Sequence, residues 1–393
     1  MSASQNVGRI KQVRTNYLKK ITAVLSISIV LASGALFFLN KTASSAIPRS
    51  KALIGARQSG DGGTNILLLG LDSRRGANGE DLPRALLNLM HVGSSSSIGG
   101  YNTNTMILIH IPSDGKKATA ISIPRDDYVA VPGYGMKKIK EAYGYAKYAE
   151  DSRLYKLGVK EPMREHQARE AGRTATLRTI TALLDVPIDH FAEVNLVGFY
   201  DLANALGGIQ VCLKRAVNDQ KYSGAIFPAG LQTISGVQAL QFVRQRHGLP
   251  NGDLDRTHRQ QAFITGVINK FRTQGIFGDI GKLSALLSVA KKDVVIDEGW
   301  DVLRFLPKAK ALTGGNITFH TLPIRGYAME NLQSVNHIDP IAVRQFTQDL
   351  FYPKPVVKST LAPSATPKAI STPSPINQAN GRALSGASIP CIN

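Results

Sequence analysis

Apolar and polar positions divide the chain into an uncharged run, an α/β body and a polar tail. Residues 21–39 (ITAVLSISIVLASGALFFL) carry no charge over nineteen positions. At about 1.5 Å per residue, a helix of that length roughly spans a bilayer core of about 30 Å. Within the body, residues 65–71 (NILLLGL) are almost wholly apolar and read as a buried strand. That strand delivers Asp72 at its C-terminal end, where α/β proteins commonly carry their sites. Residues 105–111 (TMILIHI) and 118–123 (ATAISI) are β-rich, and Asp114-Gly115 between them signals a hairpin. A hairpin there brings Asn104 and the Arg125-Asp126-Asp127 group to one sheet edge. Asp72 joins them if the first strand ends at that edge.

Residues 137–184 read as two charged helical segments, broken near Gly158 and Pro162, with Gly172 inside the second. Residues 187–196 (PIDHFAEVNL) alternate as a strand, 199–206 form a short helix closed by Gly207-Gly208, and 209–213 form a strand carrying Cys212. Ser235 and Gln238 fit a capping box for a helix ending near 242. A long helix over 254–271 follows, with further helices near 83–90, 280–290 and 300–312, and a strand over 317–323. Beyond Pro353 the composition turns to Pro, Ser, Thr and Ala, which cannot bury enough surface to fold alone. The expected organisation is a basic segment (1–20), a transmembrane helix (21–40), a linker (41–62), an α/β domain (63–350) and a tail (353–393).

Charge changes the picture. The chain has 47 basic and 28 acidic residues, a net charge of +19. Such an excess suits nucleic acid, anionic lipid or a polyanionic substrate. Residues 1–20 carry Arg9, Lys11, Arg14, Lys19 and Lys20 without an acidic residue, and only Lys41 follows the apolar run closely. This asymmetry predicts a cytoplasmic N-terminus. A cleaved signal peptide is the rival, with Ala43-Ser44-Ser45-Ala46 as its cleavage site, but the apolar run is longer than the usual signal core. Either way residues 41–393 face outward, which argues against nucleic acid as a partner. Cys212 and Cys391 are the only cysteines, so zinc spacings are absent, and an oxidising compartment would allow one disulfide.

Candidate chemistry concentrates in residues 242–260 (FVRQRHGLPNGDLDRTHRQ). Arg244 and Arg246 share a face if their backbone is extended, and Arg256, Arg259 and Gln260 share a helix face. Two such faces meeting across the 248–252 turn would form a cationic pocket suited to phosphate or pyrophosphate. The competing reading is a solvated basic helix end. Phosphate-loop, HExxH and GxSxG signatures are absent. His110, His247 and His258 lack metal-ligand spacing and read as structural. Arginines with a divalent cation held by a carboxylate are a recipe for phosphoryl transfer, because positioned cations neutralise charge developing on phosphate oxygens. Mg²⁺ suits it, since it keeps few protein ligands. On the outward face of a membrane, such a pocket implies a lipid-borne pyrophosphate.

These residues resemble the LytR-CpsA-Psr family. NILLLGLDSR, NTMILIHI, SIPRD (122–126), KIKEAYGYA and the R-x-R…D-x-x-R-x-x-R-Q signature (Arg244, Arg246, Asp253, Arg256, Arg259, Gln260) carry the resemblance over roughly residues 64–270. It implies a three-layer α/β/α sandwich with a central mixed sheet and a hydrophobic tunnel for a polyprenyl chain. It also implies Mg²⁺-dependent transfer of a glycan phosphate from a polyprenyl-pyrophosphate carrier to a peptidoglycan acceptor. Carried over, Asp72 would ligate Mg²⁺, and Arg125, Arg244, Arg246 and Arg256 would bind pyrophosphate with Gln260. Arg259 and Asp253 fill supporting motif positions. Two residues depart from the family pattern: Asn102 stands where a phosphate-binding arginine is common, and Asn104 where a second metal carboxylate is. Lys140 also replaces an asparagine. The wording GYNTNT, the Cys212/Cys391 pair and the tail are similar to the subgroup from mycolate-containing bacteria, whose peptidoglycan carries arabinogalactan. The general base is open between Asp253 and Asp126. Hydrolysis of polyprenyl-pyrophosphate lipids and non-catalytic lipid-glycan binding are the alternatives.

Overall fold

A computed structural model describes residues 47–77, 79–90, 100–273, 279–302, 304–305, 316–353 and 383–393. The expected transmembrane helix, the basic segment before it, the start of the linker and most of the tail lie outside these residues. So does most of the expected helix over 300–312. Among the described residues no helix is long and apolar enough to cross a membrane. All of them except Asp301 and Val302 fall in one compact unit.

Eight strands form a mixed sheet among the described residues. In chain order they are β1 (Arg49–Ser50), β2 (Thr64–Asp72), β3 (Asn102–Ile111), β4 (Ala118–Ser122), β5 (His190–Asn195), β6 (Val294–Asp297), β7 (Ile317–Thr321) and β8 (Leu384–Ser385). Their spatial order is β1-β6-β5-β2-β3-β4-β7-β8. The pairs β1–β6, β2–β5 and β4–β7 are parallel, and the others are antiparallel. Among the described residues the named α-helices are α1 (Arg84–Leu89), α2 (Ala142–Lys156), α3 (Met163–Leu184), α4 (Leu196–Ala205), α5 (Gly236–Arg244), α6 (Asp253–Thr273), α7 (Ile280–Asp293) and α8 (Pro340–Phe351).

The near-continuous apolar run of β2 is explained by its central place, covered on both faces. Leu67 and Leu108 pair across β2 and β3, and both are fully buried. Each such side chain contributes about 1.5–3 kcal/mol. They join Ile121, Leu177, Ile180 and Val343 in the core between the sheet and α3 and α8. Strand alternation turns Ser122 to the opposite face. There the side-chain amide of Gln261 on α6 donates to Ser122 Oγ at 2.8 Å and to Thr321 Oγ1 at 3.0 Å. Helices therefore cover both faces, and the architecture is the expected three-layer sandwich. Gly172 in α3 is a close-approach position: a Cβ there would lie 2.5 Å from the Tyr143 ring of α2.

The structure differs from the sequence reading in several elements. Residues 135–138 form a strand paired with Tyr128–Val131, so helix α2 starts only at Ala142. Ser235 sits at the N-cap of α5, but its hydroxyl makes no capping hydrogen bond. Helix α8 and the hairpin of Gly326–Glu330 with Gln333–His337 were not read from the pattern at all. The C-terminal end of the tail is ordered by pairing. Leu384–Ser385 adds to the main sheet, and Cys391–Ile392 pairs with Ile209–Leu213 in a small sheet. Cys391 is disulfide-bonded to Cys212, with a Cα–Cα distance of 4.4 Å.

Candidate active site

The site is built at the ends of three neighbouring strands. Asp72 ends β2, opposite Asn102 at the start of β3. The β2–β3 register slips after Gly70: Gly70 pairs with Thr105 and Leu71 with Thr103, leaving Asn104 without a partner opposite. A bulge of this kind re-aims a side chain. Asn104 Nδ2 donates to Asp72 Oδ2 at 2.9 Å, and Arg125 Nη1 donates to Asn104 Oδ1 at 2.8 Å. Arg125 follows β4, which the hairpin returns beside β3. The predicted convergence of Asp72, Asn104 and Arg125 is thus present.

The arginine signature closes the other side. The side chains of Asp253 and Arg256 open α6, one turn apart. Asp253 Oδ1 lies 3.1 Å from Arg125 Nε and 2.8 Å from Arg256 Nη2. A continuous chain of polar contacts therefore runs from Asp72 through Asn104, Arg125 and Asp253 to Arg256. Arg246 lies in the turn between α5 and α6, exposed, and its charge acts on Arg256. Arg244 is not on an extended segment with Arg246, as the two-residue spacing suggested. It is the last residue of α5, because the helix runs through Phe242 and breaks only at Gln245. Its Nη1 donates to the Met90 carbonyl at 3.2 Å, and it feels the charges of Asp72 and Arg74.

Arg259 and Gln260 do not behave alike. Gln260 is half-buried, while Arg259 is fully enclosed, its guanidinium 5.0 Å from the Phe242 ring centroid. Arg259 therefore presents no surface to a ligand here; it braces α6 against α5.

Several cations surround Asp126, one of the two candidate bases. Burial pushes the Asp126 carboxyl up, but Arg125, Lys140 and Lys138 outweigh it and hold Asp126 below the usual carboxylate range. Lys140 Nζ lies only 2.6 Å from Asp126 Oδ1. Burial also pulls Arg256 down to about 10, with Arg125 and Arg246 pushing the same way against Asp253 and Asp126. Arg256 Nε is buried without a hydrogen-bond acceptor among the described residues. A cluster in this condition gains from an incoming anion.

The sequence reading did not single out several residues that the structure brings in. Arg74, 5% exposed, sits 2.7 Å from Asp72 Oδ1 through its Nη1. Its position two residues after Asp72 was the available signal. Asp127 is fully buried and accepts from Asn336 Nδ2 at 2.9 Å, and Asn336 N donates to the Asp126 carbonyl at 2.9 Å. The hairpin carrying Asn336 is thereby mounted on the site. Nothing local in the sequence announces that link. His110 pairs with Asn65 inside the sheet and His247 stacks on Tyr222, as structural histidines do.

The sequence pattern of the LytR_cpsA_psr family matches residues 38–350. The chain belongs to the LytR_cpsA_psr family. Among family relatives, it is 38% identical to the cell wall biosynthesis protein LcpA of Corynebacterium glutamicum, over 86% of this chain and 66% of that protein. The chain thus spans slightly under two thirds of that relative's length. It is 31% identical to the polyisoprenyl-teichoic acid–peptidoglycan teichoic acid transferase TagU of Oceanobacillus iheyensis, over 67% of each chain. The fold matches that of Bacillus subtilis TagV (TM-score 0.53, 19% identity, 75% of this chain and 98% of that one). It also matches TagT bound to LI-WTA (TM-score 0.51, 20% identity, 77% and 94%).

Proposed function

We propose that this chain is a phosphotransferase that moves a glycan phosphate from a polyprenyl-pyrophosphate carrier to peptidoglycan. In the subgroup it resembles, the glycan would be arabinogalactan. The observation that carries the reading is the cationic cluster of Arg125, Arg246 and Arg256, which has more guanidinium charge than Asp126 and Asp253 compensate. A pyrophosphate supplies the missing negative charge, and planar guanidiniums match its oxygens. Relatives named as teichoic acid transferases and cell wall biosynthesis proteins support the same reading. Arg244 donates to the Met90 carbonyl, and Met90 belongs to a buried apolar cluster with Leu87, Val197 and Leu240. A membrane anchor in residues 21–40 with the domain outside the cell would keep the enzyme beside that lipid.

In the transfer, the acceptor hydroxyl oxygen bonds to the glycan-side phosphorus while the bond to the bridging oxygen breaks. The electron pair leaves with polyprenyl phosphate, and the hydroxyl proton passes to a base. Asp126 and Asp253 are the candidate bases, and each carboxylate touches Arg125. Arg125, Arg246 and Arg256 orient the pyrophosphate and stabilise charge on its oxygens. Asp72 and Asn104 fit a Mg²⁺ ion. Asp72 would supply the carboxylate and Asn104 stands beside it, its amide oxygen accepting from Arg125 at 2.8 Å, and Mg²⁺ tolerates few protein ligands. When bound, Mg²⁺ would neutralise phosphate charge at that end of the site.

The test incubates the full chain in detergent with polyprenyl-pyrophosphate oligosaccharide, Mg²⁺ and peptidoglycan. Covalent glycan transfer is expected, with Arg246→Ala and Arg256→Ala each lowering kcat about 100- to 1,000-fold. Lipid phosphate release without transfer would identify a hydrolase, and lipid retention without turnover a binding protein.

A further inference from the structure

Asp72 and Arg74 also line a cavity of about 290 Å³ whose chemistry differs from that of the arginine cluster. Its remaining walls come from the loop at Tyr101 and from α2 and α3. The charges in it are balanced pair by pair. Lys147 Nζ lies 2.7 Å from Glu165 Oε2, and Arg164 reaches Asp151 at 3.1 Å and Glu161 at 2.9 Å. Asp72 already holds Arg74 at 2.7 Å. Although ligand atoms of Asp151, Glu161 and Glu165 lie within 4.8 Å of one another, three cations of the same lining, Arg164, Lys147 and Arg75, already pair with them. The cavity therefore calls for neither an anion nor a metal ion. Paired charges set donors and acceptors side by side, the arrangement a neutral ligand with many hydroxyl groups needs.

One wall is held in an unusual backbone state. Tyr101 has φ +55°, a left-handed conformation rare for a bulky side chain. Neighbours fix it there. Its ring stacks on Tyr143 with centroids 6.0 Å apart, Lys147 Nζ lies 4.4 Å over its face, and its hydroxyl donates to Glu165. Backbone strain that surrounding groups over-determine clusters at functional sites. The volume sits at the lower end of the roughly 300–1,000 Å³ typical of ligand pockets, room for a sugar residue rather than a chain.

We infer that this cavity is the acceptor subsite: it binds a sugar of the peptidoglycan strand and presents a hydroxyl at the Asp72 end. This rests on the transferase reading. The hydroxyl oxygen bonds to the glycan-side phosphorus, polyprenyl phosphate leaves with the electron pair, and the proton passes to the base. The cluster of Arg125, Arg246 and Arg256 holds the donor, the balanced cavity holds the acceptor, and Asp72 borders both.

Saturation-transfer NMR of the full chain in detergent, with the N-acetylglucosaminyl–N-acetylmuramic acid disaccharide carrying its lactyl carboxyl as the neutral amide and no lipid donor, tests it. Arg164→Gln and Asp151→Asn alter partly exposed residues, and circular dichroism checks that both variants fold. Disaccharide binding is expected to weaken about tenfold in each and to stay within twofold in Arg153→Gln, on α2 outside the cavity. In the transfer assay the acceptor KM should rise by a similar factor while the donor KM holds. Absence of disaccharide binding, or undiminished binding in both variants, overturns the proposal. So does calorimetric uptake of Mg²⁺ alone that Asp151→Asn abolishes, which would make the cavity a cation site. The binding measurement needs no donor, so failure of lipid turnover sinks the transferase reading separately.

Discussion

At the scale of single residues, Asn104 concentrates the chemistry. Its amide bridges Asp72 and Arg125, donating to one and accepting from the other, so it joins the carboxylate at the end of β2 to the arginine cluster. A carboxylate there would add one negative charge beside the cation. Asn104→Asp should lower the Mg²⁺ concentration for half-maximal transfer by about tenfold, the effect of roughly 1.4 kcal/mol. A Mg²⁺ titration of activity checks it, and an unchanged midpoint would remove Asn104 from the metal's neighbourhood. Asp127 makes a different prediction. Burial pushes its carboxyl well above the ordinary value, the neighbouring charges of Asp126 and Asp253 push the same way, and the Asn336 hydrogen bond opposes them. A raised folded-state pKa means that stability is greatest when the group is protonated. Stability is therefore lost as pH rises from the unfolded value, near 3.8, through the raised folded one. Asp127→Asn should stabilise the protein at pH 7 and flatten that slope, read by urea denaturation at several pH values. Asp72, Asn104 and Arg125 were legible in the sequence because hydrophobic runs fix where strands end. The place of Asp127 was legible as part of the Arg125-Asp126-Asp127 group, but its burial and its Asn336 partner were not, and neither was the Arg74 contact with Asp72.

At the scale of elements, α3 ties the sheet to the loop after Asp72. Arg169 Nη1 donates to the Gly76 carbonyl at 2.8 Å, while Arg169 and Arg173 share the buried carboxylate of Glu193 on β5 at 3.2 and 2.9 Å. Burial raises the Glu193 carboxyl, yet the two guanidiniums hold it below its ordinary range. The stability it adds is present above the unfolded value of about 4.5 and is lost as pH falls through the depressed folded one. Glu193→Ala leaves the buried Arg169 without a carboxylate and Arg173 with Glu170 alone, and should cost about 3–5 kcal/mol. Thermal unfolding checks it, and a loss below 1 kcal/mol would show that the pair is not a support. Helix periodicity disclosed α3, but its charged sequence concealed how much of that charge is buried. Hairpins were harder. The pairing of Gly326–Glu330 with Gln333–His337 exposes Tyr327 and Met329, so no clean alternation marked it, and only the Asn336 contacts reveal its place beside the site.

At the scale of the whole molecule, the last residues return to buttress the element that carries the signature. Cys391 pairs with Cys212 on the strand Ile209–Leu213, and Ile392 packs into the same core as Phe263 of α6. Helix α6 lies so close to that strand that a Cβ on Gly266 would come within 2.4 Å of the Gln210 carbonyl. The strand is thus held between the C-terminal segment and the helix whose first turn presents Asp253 and Arg256. Composition made the tail look unable to fold, and alone it would be. The disulfide changes the balance by closing a loop of 179 residues and so restricting the unfolded chain. Cys391→Ser should lower unfolding free energy by about 2–4 kcal/mol. Cys212→Ser should cost a similar amount, and the double variant no more than either single one, since all three remove the same link. Because α6 leans on the freed strand, activity of Cys391→Ser should fall at temperatures where the parent still turns over, with KM for the lipid donor rising before kcat falls. Equal donor KM in parent and variant up to the unfolding transition would show that the clasp steadies the fold without steadying the arginine helix.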